Sequence, residues 1–217
     1  MTFHRIDREN WDRAPYFEHY FSQKCSYSVT ANIEITKLTE RLQAKKMKFY
    51  PAFIYMVSKV VNAHIEFRTG FKDGVLGYWE VMLPSYTIFH NETKTFSSIW
   101  TEFSHDYHEF YNNYNGDLKR YSDVLGFFTK SNEPQNTFPI SMVPWVSFTG
   151  FNLNINEDNN YLLPIMTGGK YFNQDGKTLF PLAVQMHHAV CDGYHASLFI
   201  NEVQQLADHC EEWMYLN

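Results

Sequence analysis

The stretch from Pro51 to Ile65 is apolar on nearly every side. Phe53, Ile54, Met56, Val57, Val60 and Val61 are spread around a helix rather than along one stripe, and Pro51 suits a first turn. A helix that is apolar all round must be buried all round. The rest of the chain therefore has to wrap it, and the spacing predicts a central helix in a layered fold. At 217 residues the chain is long enough to do so. Its 8 Pro and 10 Gly form no linker, and there is no internal repeat or low-complexity tract, so one domain over 1–217 is expected.

The flanking segments show which layers are available. Asn10 to Ser22 reads as a short helix, with Asn10 as N-cap and Pro15 in its first turns. Tyr27, Val29, Ala31, Ile33 and Ile35 alternate with polar residues, the pattern of a half-buried strand. Thr36 then offers an N-cap to a helix holding Leu38 and Leu42. Strands and turns are expected from Phe67 to Phe103, followed by a polar-faced helix over His105 to Tyr121. A strand pair is expected over Phe138 to Asn154 and a further strand over Tyr161 to Thr167. Asp175-Gly176 marks a hairpin between Lys170–Gln174 and Thr178–His187, and a last helix runs from Tyr194 to about Glu212. Mixed strands and helices of this kind give an α/β (α+β) fold, a mixed sheet flanked by helices.

Charge and composition remove several functions. With 18 Lys+Arg against 24 Asp+Glu, the net charge of −6 argues against nucleic acid as a partner, because duplex binding depends on cations neutralising phosphates. No apolar run approaches the ~20 residues of a membrane span. The segment MTFHRIDREN has no apolar core of a leader, so no signal peptide is expected. Cys25, Cys191 and Cys210 form no CxxC pair and suit a reducing cytoplasm. Aromatic residues, by contrast, make up 18% of the chain, more than a core of this size needs, so some rings are expected around a ligand or a partner subunit.

The sharpest local feature is His187-His188-Ala189-Val190-Cys191-Asp192-Gly193, placed where a strand ends and a helix begins. A shuffled chain of this composition would contain HHxxxDG roughly 0.001 times. As plain structure, the two histidines would fill the core and Asp192-Gly193 would open a helix. A metal site would have to gather His188, Cys191, Asp192 and His195. Adjacent strand residues point to opposite faces, however, and HExxH and paired CxxC are absent, so no metal is expected. A Cys191 nucleophile with His188 as base lacks the electropositive setting that lowers a thiol pKa. A strand-end histidine is best suited to take a proton from a hydroxyl near neutral pH. Attack of that oxygen on an acyl carbonyl needs a donor for the oxyanion, for which Ser141 and Thr167 are candidates.

HHAVCDG, together with PWVSFTGFNLN and MTGGKY upstream, resembles the trimeric, type A chloramphenicol acetyltransferase family. The similarity runs from Asn10-Trp11-Asp12-Arg13 through KFYPAFIYMV and FHNET to the final helix. The motif alone would indicate only the wider CoA-dependent acyltransferase (HHxxxDG) fold. The resemblance implies that His188 is the general base toward the primary hydroxyl of chloramphenicol. The alcohol then attacks acetyl-CoA directly in a ternary complex, with acetyl-CoA as co-substrate and no bound cofactor. It further implies that Ser141 stabilises the oxyanion and Thr167 holds a water against it. Asp192 would pair with Arg13 to keep the site in shape, and the backbone carbonyl of His188 would fix its tautomer.

By the same resemblance Tyr20, Tyr27, Phe128, Phe151, Leu153 and Tyr161 line the acceptor pocket. Lys48, Tyr50, Trp145, Lys170 and Tyr171 line the CoA tunnel. A homotrimer is implied, with sites at the subunit interfaces. Pro139, Asn91 and His19 depart from the family pattern, which bears on substrate affinity and not on the base or the oxyanion serine. The rival functions are acetylation of another hydroxyl-bearing xenobiotic and a non-catalytic module that binds an aromatic ligand.

Overall fold

The protein is described by a computed structural model over residues 2–153 and 161–214. In chain order β1 (Phe3–Arg5) precedes α1 (Ala14–Ser22), β2 (Ser26–Glu34) and α2 (Thr36–Ala44). Then come α3 (Phe49–Ala63), a 3-10 turn (Glu66–Arg68), β3 (Thr69–Lys72) and β4 (Val75–Trp79). β5 (Leu83–His90), β6 (Thr95–Trp100), α4 (Tyr107–Tyr121) and β7 (Thr137–Val143) follow. The last are β8 (Ile165–Gly169), β9 (Phe172–Gln174), β10 (Lys177–His187), α5 (Gly193–Asp208) and α6 (Cys210–Trp213). The class is mixed α/β, as the sequence pattern predicts.

The main sheet has the order β2-β10-β8-β7-β5-β6, with β9 paired to the start of β10. β10 runs antiparallel to both β2 and β8, whereas β7 is parallel to β5 and β8. A small sheet, β1-β4-β3, stands apart from it. The sheet is two-faced because strand side chains alternate. One face of β10 carries Phe180, Leu182, Val184 and Met186, all buried in the core. Helix α3 lies in this core, with ten of its fifteen residues buried, and Phe53 packs edge-on to Phe180 at 5.0 Å. The helix that is apolar all round is therefore central, for the reason its sequence gives. The other face of the sheet carries Ser28, Thr30, Ser141, Thr167 and Gln185.

Several ends differ from the sequence expectation. Helix α1 starts at Ala14 rather than Asn10, and the Asn10 side-chain amide donates to the carboxylate of Asp7 at 2.7 Å. Thr36 does not cap α2; its hydroxyl accepts the Thr178 amide of β10 at 2.9 Å, and Ile35 holds the cap position. Of the strand pair expected over Phe138 to Asn154, only β7 forms. Residues 144–153 leave the ladder, and Asn154 lies outside the described residues. The strand expected over Tyr161 to Thr167 begins at Ile165. The last helix breaks at His209 into α5 and α6. The hairpin holds: Asp175 and Gly176 both have positive φ, the two-residue turn that matches strand twist.

Candidate active site

The end of β10 is built as a series of short turns. The His188 amide donates to the Cys25 carbonyl at 2.8 Å and extends the ladder with β2 by one bond. The His187 carbonyl then accepts from both Val190 and Cys191, while the Ala189 amide donates to His187 Nδ1 at 3.1 Å. His187 is buried, and burial together with its neighbour His188 holds its pKa below the ordinary value. It is thus a neutral ring that closes the turn. Strand alternation sends the two histidines to opposite sides, and only His188 reaches an open one.

The ring of His188 lies flat on Tyr20 of α1, with centroids 3.8 Å apart and planes 3° from parallel. Tyr27 of β2 flanks it at 5.2 Å. His188 Nδ1 is buried and has no hydrogen-bond partner among the described residues. The implied bond from Nδ1 to its own carbonyl is therefore not made. That carbonyl accepts from Arg13 Nη2 at 3.1 Å, and stacking on Tyr20 sets the plane of the ring.

Arg13 holds the turn from below. Its Nε donates to the Ala189 carbonyl at 2.9 Å, its Nη2 to the His188 carbonyl, and its Nη1 to Asp192 Oδ2 at 3.1 Å. Asp192 caps α5 and accepts from the Tyr194 amide at 3.0 Å. Burial alone would raise the Asp192 pKa. The hydrogen bond from Arg13 and the neighbouring His195 outweigh burial and bring it to about 2. The sequence marks His195 only as a candidate metal ligand, whereas its Nδ1 lies 2.9 Å from Asp192 Oδ1. The cue in the sequence was its place three residues after a helix-capping Asp, the reciprocal position of a capping box. The Cys191 thiol is buried, and burial pushes its pKa well up, which removes it as a nucleophile. Among the described residues no group of three or more His, Cys, Asp or Glu could hold a metal ion.

A second cluster forms on the other face of the sheet. Ser141 of β7 and Thr167 of β8 are direct partners in register, with their hydroxyl oxygens 3.0 Å apart. Beyond them the chain leads to Trp145 and to Lys170, where the Lys170 amide donates to the Val146 carbonyl and Ser147 Oγ donates to the Lys170 carbonyl. Tyr171 meets Phe49 at 5.8 Å, so Lys48 and Tyr50 at the start of α3 adjoin the same end. The segment after β7 returns across the sheet. Phe148 meets Phe151 at 5.5 Å, and the Leu153 amide donates to Gln185 Oε1 of β10 at 2.9 Å. Tyr161 is part-exposed before β8.

The two clusters do not meet within one chain. Thr167 pairs with Ala183, five residues before His188, which is about 16 Å of strand. They also lie on opposite faces of the sheet by alternation. Phe128 is farther still: it bridges to Ser98 outside β6, five strand spacings or about 24 Å from β10, and it is 68% exposed. Near it Phe96, Leu125 and Phe127 are also exposed.

Sheet order and a strand-end HHxxxDG turn together define a CoA-dependent acyltransferase fold. Among solved structures, a chloramphenicol acetyltransferase superposes with TM-score 0.84 at 22% identity, covering 95% of this chain and all of the other. A catalytic core of the 2-oxoacid dehydrogenase multienzyme complex from Thermoplasma acidophilum shares the fold at TM-score 0.68 and 13% identity, covering 96% and 97%. The chain belongs to the chloramphenicol acetyltransferase family, whose model matches residues 1–204. It is 56% identical over 216 residues to the chloramphenicol acetyltransferase of Clostridium butyricum, covering 99% of both chains. A Staphylococcus aureus relative of the same name is 47% identical over 215 residues, covering 99% of this chain and all of the relative.

Proposed function

We propose that this protein is one catalytic domain that transfers the acetyl group of acetyl-CoA to the primary hydroxyl of chloramphenicol and so confers resistance in the cytoplasm. The observation that carries the proposal is the His188 turn, a ring stacked on Tyr20 and gripped through its own carbonyl by Arg13. The relatives' names give the substrate class.

In the proposed reaction His188 Nε2 accepts the proton of the acceptor hydroxyl as its oxygen attacks the thioester carbonyl. The resulting oxyanion takes a hydrogen bond from Ser141, whose hydroxyl is set by Thr167 at 3.0 Å. Collapse expels the CoA thiolate, which recovers the proton from His188, and no acetyl-enzyme forms. Thr167 is also assigned the role of holding a water against the intermediate. Tyr20, Tyr27, Phe128, Phe151, Leu153 and Tyr161 are assigned to the acceptor pocket. Lys48, Tyr50, Trp145, Lys170 and Tyr171 are assigned to CoA.

The separation of about 16 Å between His188 and the Ser141–Thr167 pair supports a site completed by a second copy. The proposed assembly is a homotrimer in which His188 of one subunit faces the Ser141 cluster of the next. Chloramphenicol-dependent release of CoA thiol from acetyl-CoA tests the reaction. A purified protein that consumes no thioester with chloramphenicol, or prefers another alcohol in an acceptor panel, would overturn it. Sedimentation at a single-chain mass would overturn the trimer.

A further inference from the structure

We propose that His195 is a positioning residue for acyl transfer, acting on His188 through Asp192 and Arg13. The proposal deepens the function above and rests on it.

Asp192 is held at both oxygens. Arg13 Nη1 occupies Oδ2 at 3.1 Å, while His195 Nδ1 sits 2.9 Å from Oδ1. The Tyr194 amide donates to Oδ1 at 3.0 Å and Arg13 holds Oδ2, yet with those two contacts alone the carboxylate, and the guanidinium with it, can still tilt. Arg13 spends its other two nitrogens on the carbonyls of His188 and Ala189, so any turn of Asp192 moves the peptide that carries the base. The His195 ring against Oδ1 removes that freedom. The Asp192 amide also lies 3.2 Å from His195 Nδ1; an Nδ1 that carries the proton donates to Oδ1, one that does not accepts from the amide, and the hold on the carboxylate belongs to the Nδ1–H form.

His195 is itself anchored. Its side chain is 16% exposed, and its Nε2 lies 3.9 Å from Glu66 Oε1. Tyr194 covers the ring edge-on at 5.5 Å. Glu66 belongs to the 3-10 turn that follows α3, and its carbonyl accepts from Cys191 Sγ at 3.8 Å. A series of contacts therefore runs from the turn after α3 through Glu66, His195, Asp192 and Arg13 to the carbonyl of His188, with the Glu66–His195 step the loosest at 3.9 Å. It links the base to the turn that follows the buried helix α3. Helix capping alone would make His195 a stability residue, with the folded enzyme turning over at its normal rate.

The two roles separate in the thiol-release assay with His195→Ala, His195→Asn and His195→Gln. The alanine variant is expected to lose about 10- to 100-fold in kcat, the effect of a small displacement of the base, with KM for both substrates nearly unchanged. Asparagine places polar atoms near the position of Nδ1 and is expected to restore most of kcat, whereas glutamine, whose polar atoms lie farther out, is not. A cleft of about 580 Å³ lined by Arg13, Glu66, Thr69, Tyr78 and His195 opens beside the ring, so added imidazole is expected to revive the alanine variant. Three results would overturn the proposal: an alanine variant with kcat within about twofold of the parent, equal kcat for asparagine and glutamine, or no response to imidazole. If alanine fails to fold, the asparagine and glutamine pair still decides it. Acyl transfer by His188 fails separately, through a parent enzyme without thiol release or a His188→Ala variant as active as the parent.

Discussion

Replacing Arg13 by lysine would separate two tasks that one guanidinium performs. The three bonds of Arg13 go to one carboxylate and two carbonyls, and a lysine ammonium cannot reproduce that fork. Breaking a fully buried ion pair costs about 3–5 kcal/mol, but water reaches Asp192, whose side chain is 41% exposed. For Arg13→Ala about 2 kcal/mol of stability is therefore expected to be lost. Arg13→Lys keeps the charge opposite Asp192 and loses the two carbonyl bonds, so about 1 kcal/mol is expected. Catalysis follows the carbonyl bonds, because they set the peptide that presents His188. Both variants are then expected to fall about 100-fold in kcat, as for a base displaced by about 1 Å. Urea unfolding gives the stability loss, at one fixed protein concentration because assembly couples stability to concentration. Initial rates of CoA thiol release at saturating substrates give kcat. A lysine variant that keeps kcat within about twofold of the parent sinks the idea, as does a kcat loss that merely scales with lost stability.

Three further outcomes are expected. His187→Asn, which keeps an acceptor near Nδ1 for the Ala189 amide, should unfold at higher urea than His187→Gln, since an orphaned buried amide costs about 1–3 kcal/mol; equal midpoints would refute this. The Asp192 pKa is lowered to about 2 in the folded state, so its stabilisation is present above the ordinary carboxylate value and is lost as pH falls from about 4 toward about 2. Solvent screening reduces that contribution to about 1 kcal/mol, and parallel acid-unfolding curves for the parent and Asp192→Asn would contradict it. Gly168→Ala would put a methyl carbon against Phe180, 2.9 Å from Cε2, in a ring cluster with Phe49 and Phe53 that has no room to yield. A loss of about 1–3 kcal/mol in urea, with reduced activity from the displaced Thr167, is expected; an unchanged midpoint would count against close packing there.

Much of the fold was legible because it is written in local periodicity. Helix α3, strand β2 and the hairpin at Asp175-Gly176 each follow from spacing or turn chemistry within a few residues. The structure departs from local pattern where a polar side chain has a competing partner. Asn10 serves Asp7 instead of capping α1, and Thr36 binds the strand instead of capping α2. Residues 144–153 read as a strand from their apolar content, but they leave the ladder, with Phe148 and Phe151 in contact and Leu153 tied back to Gln185.

The sequence by itself determined the fold class, the buried central helix and the turn that presents His188, since each depends on residues close together in the chain. It also carried, through resemblance, the family to which the chain belongs. Only the tertiary structure decided that Arg13 closes its grip across 175 to 179 residues. It likewise decided that His188 and Ser141 lie on opposite faces of one sheet, about 16 Å of strand apart. No local pattern encodes such facts, because strand order and register set them, and these depend on how distant segments pair.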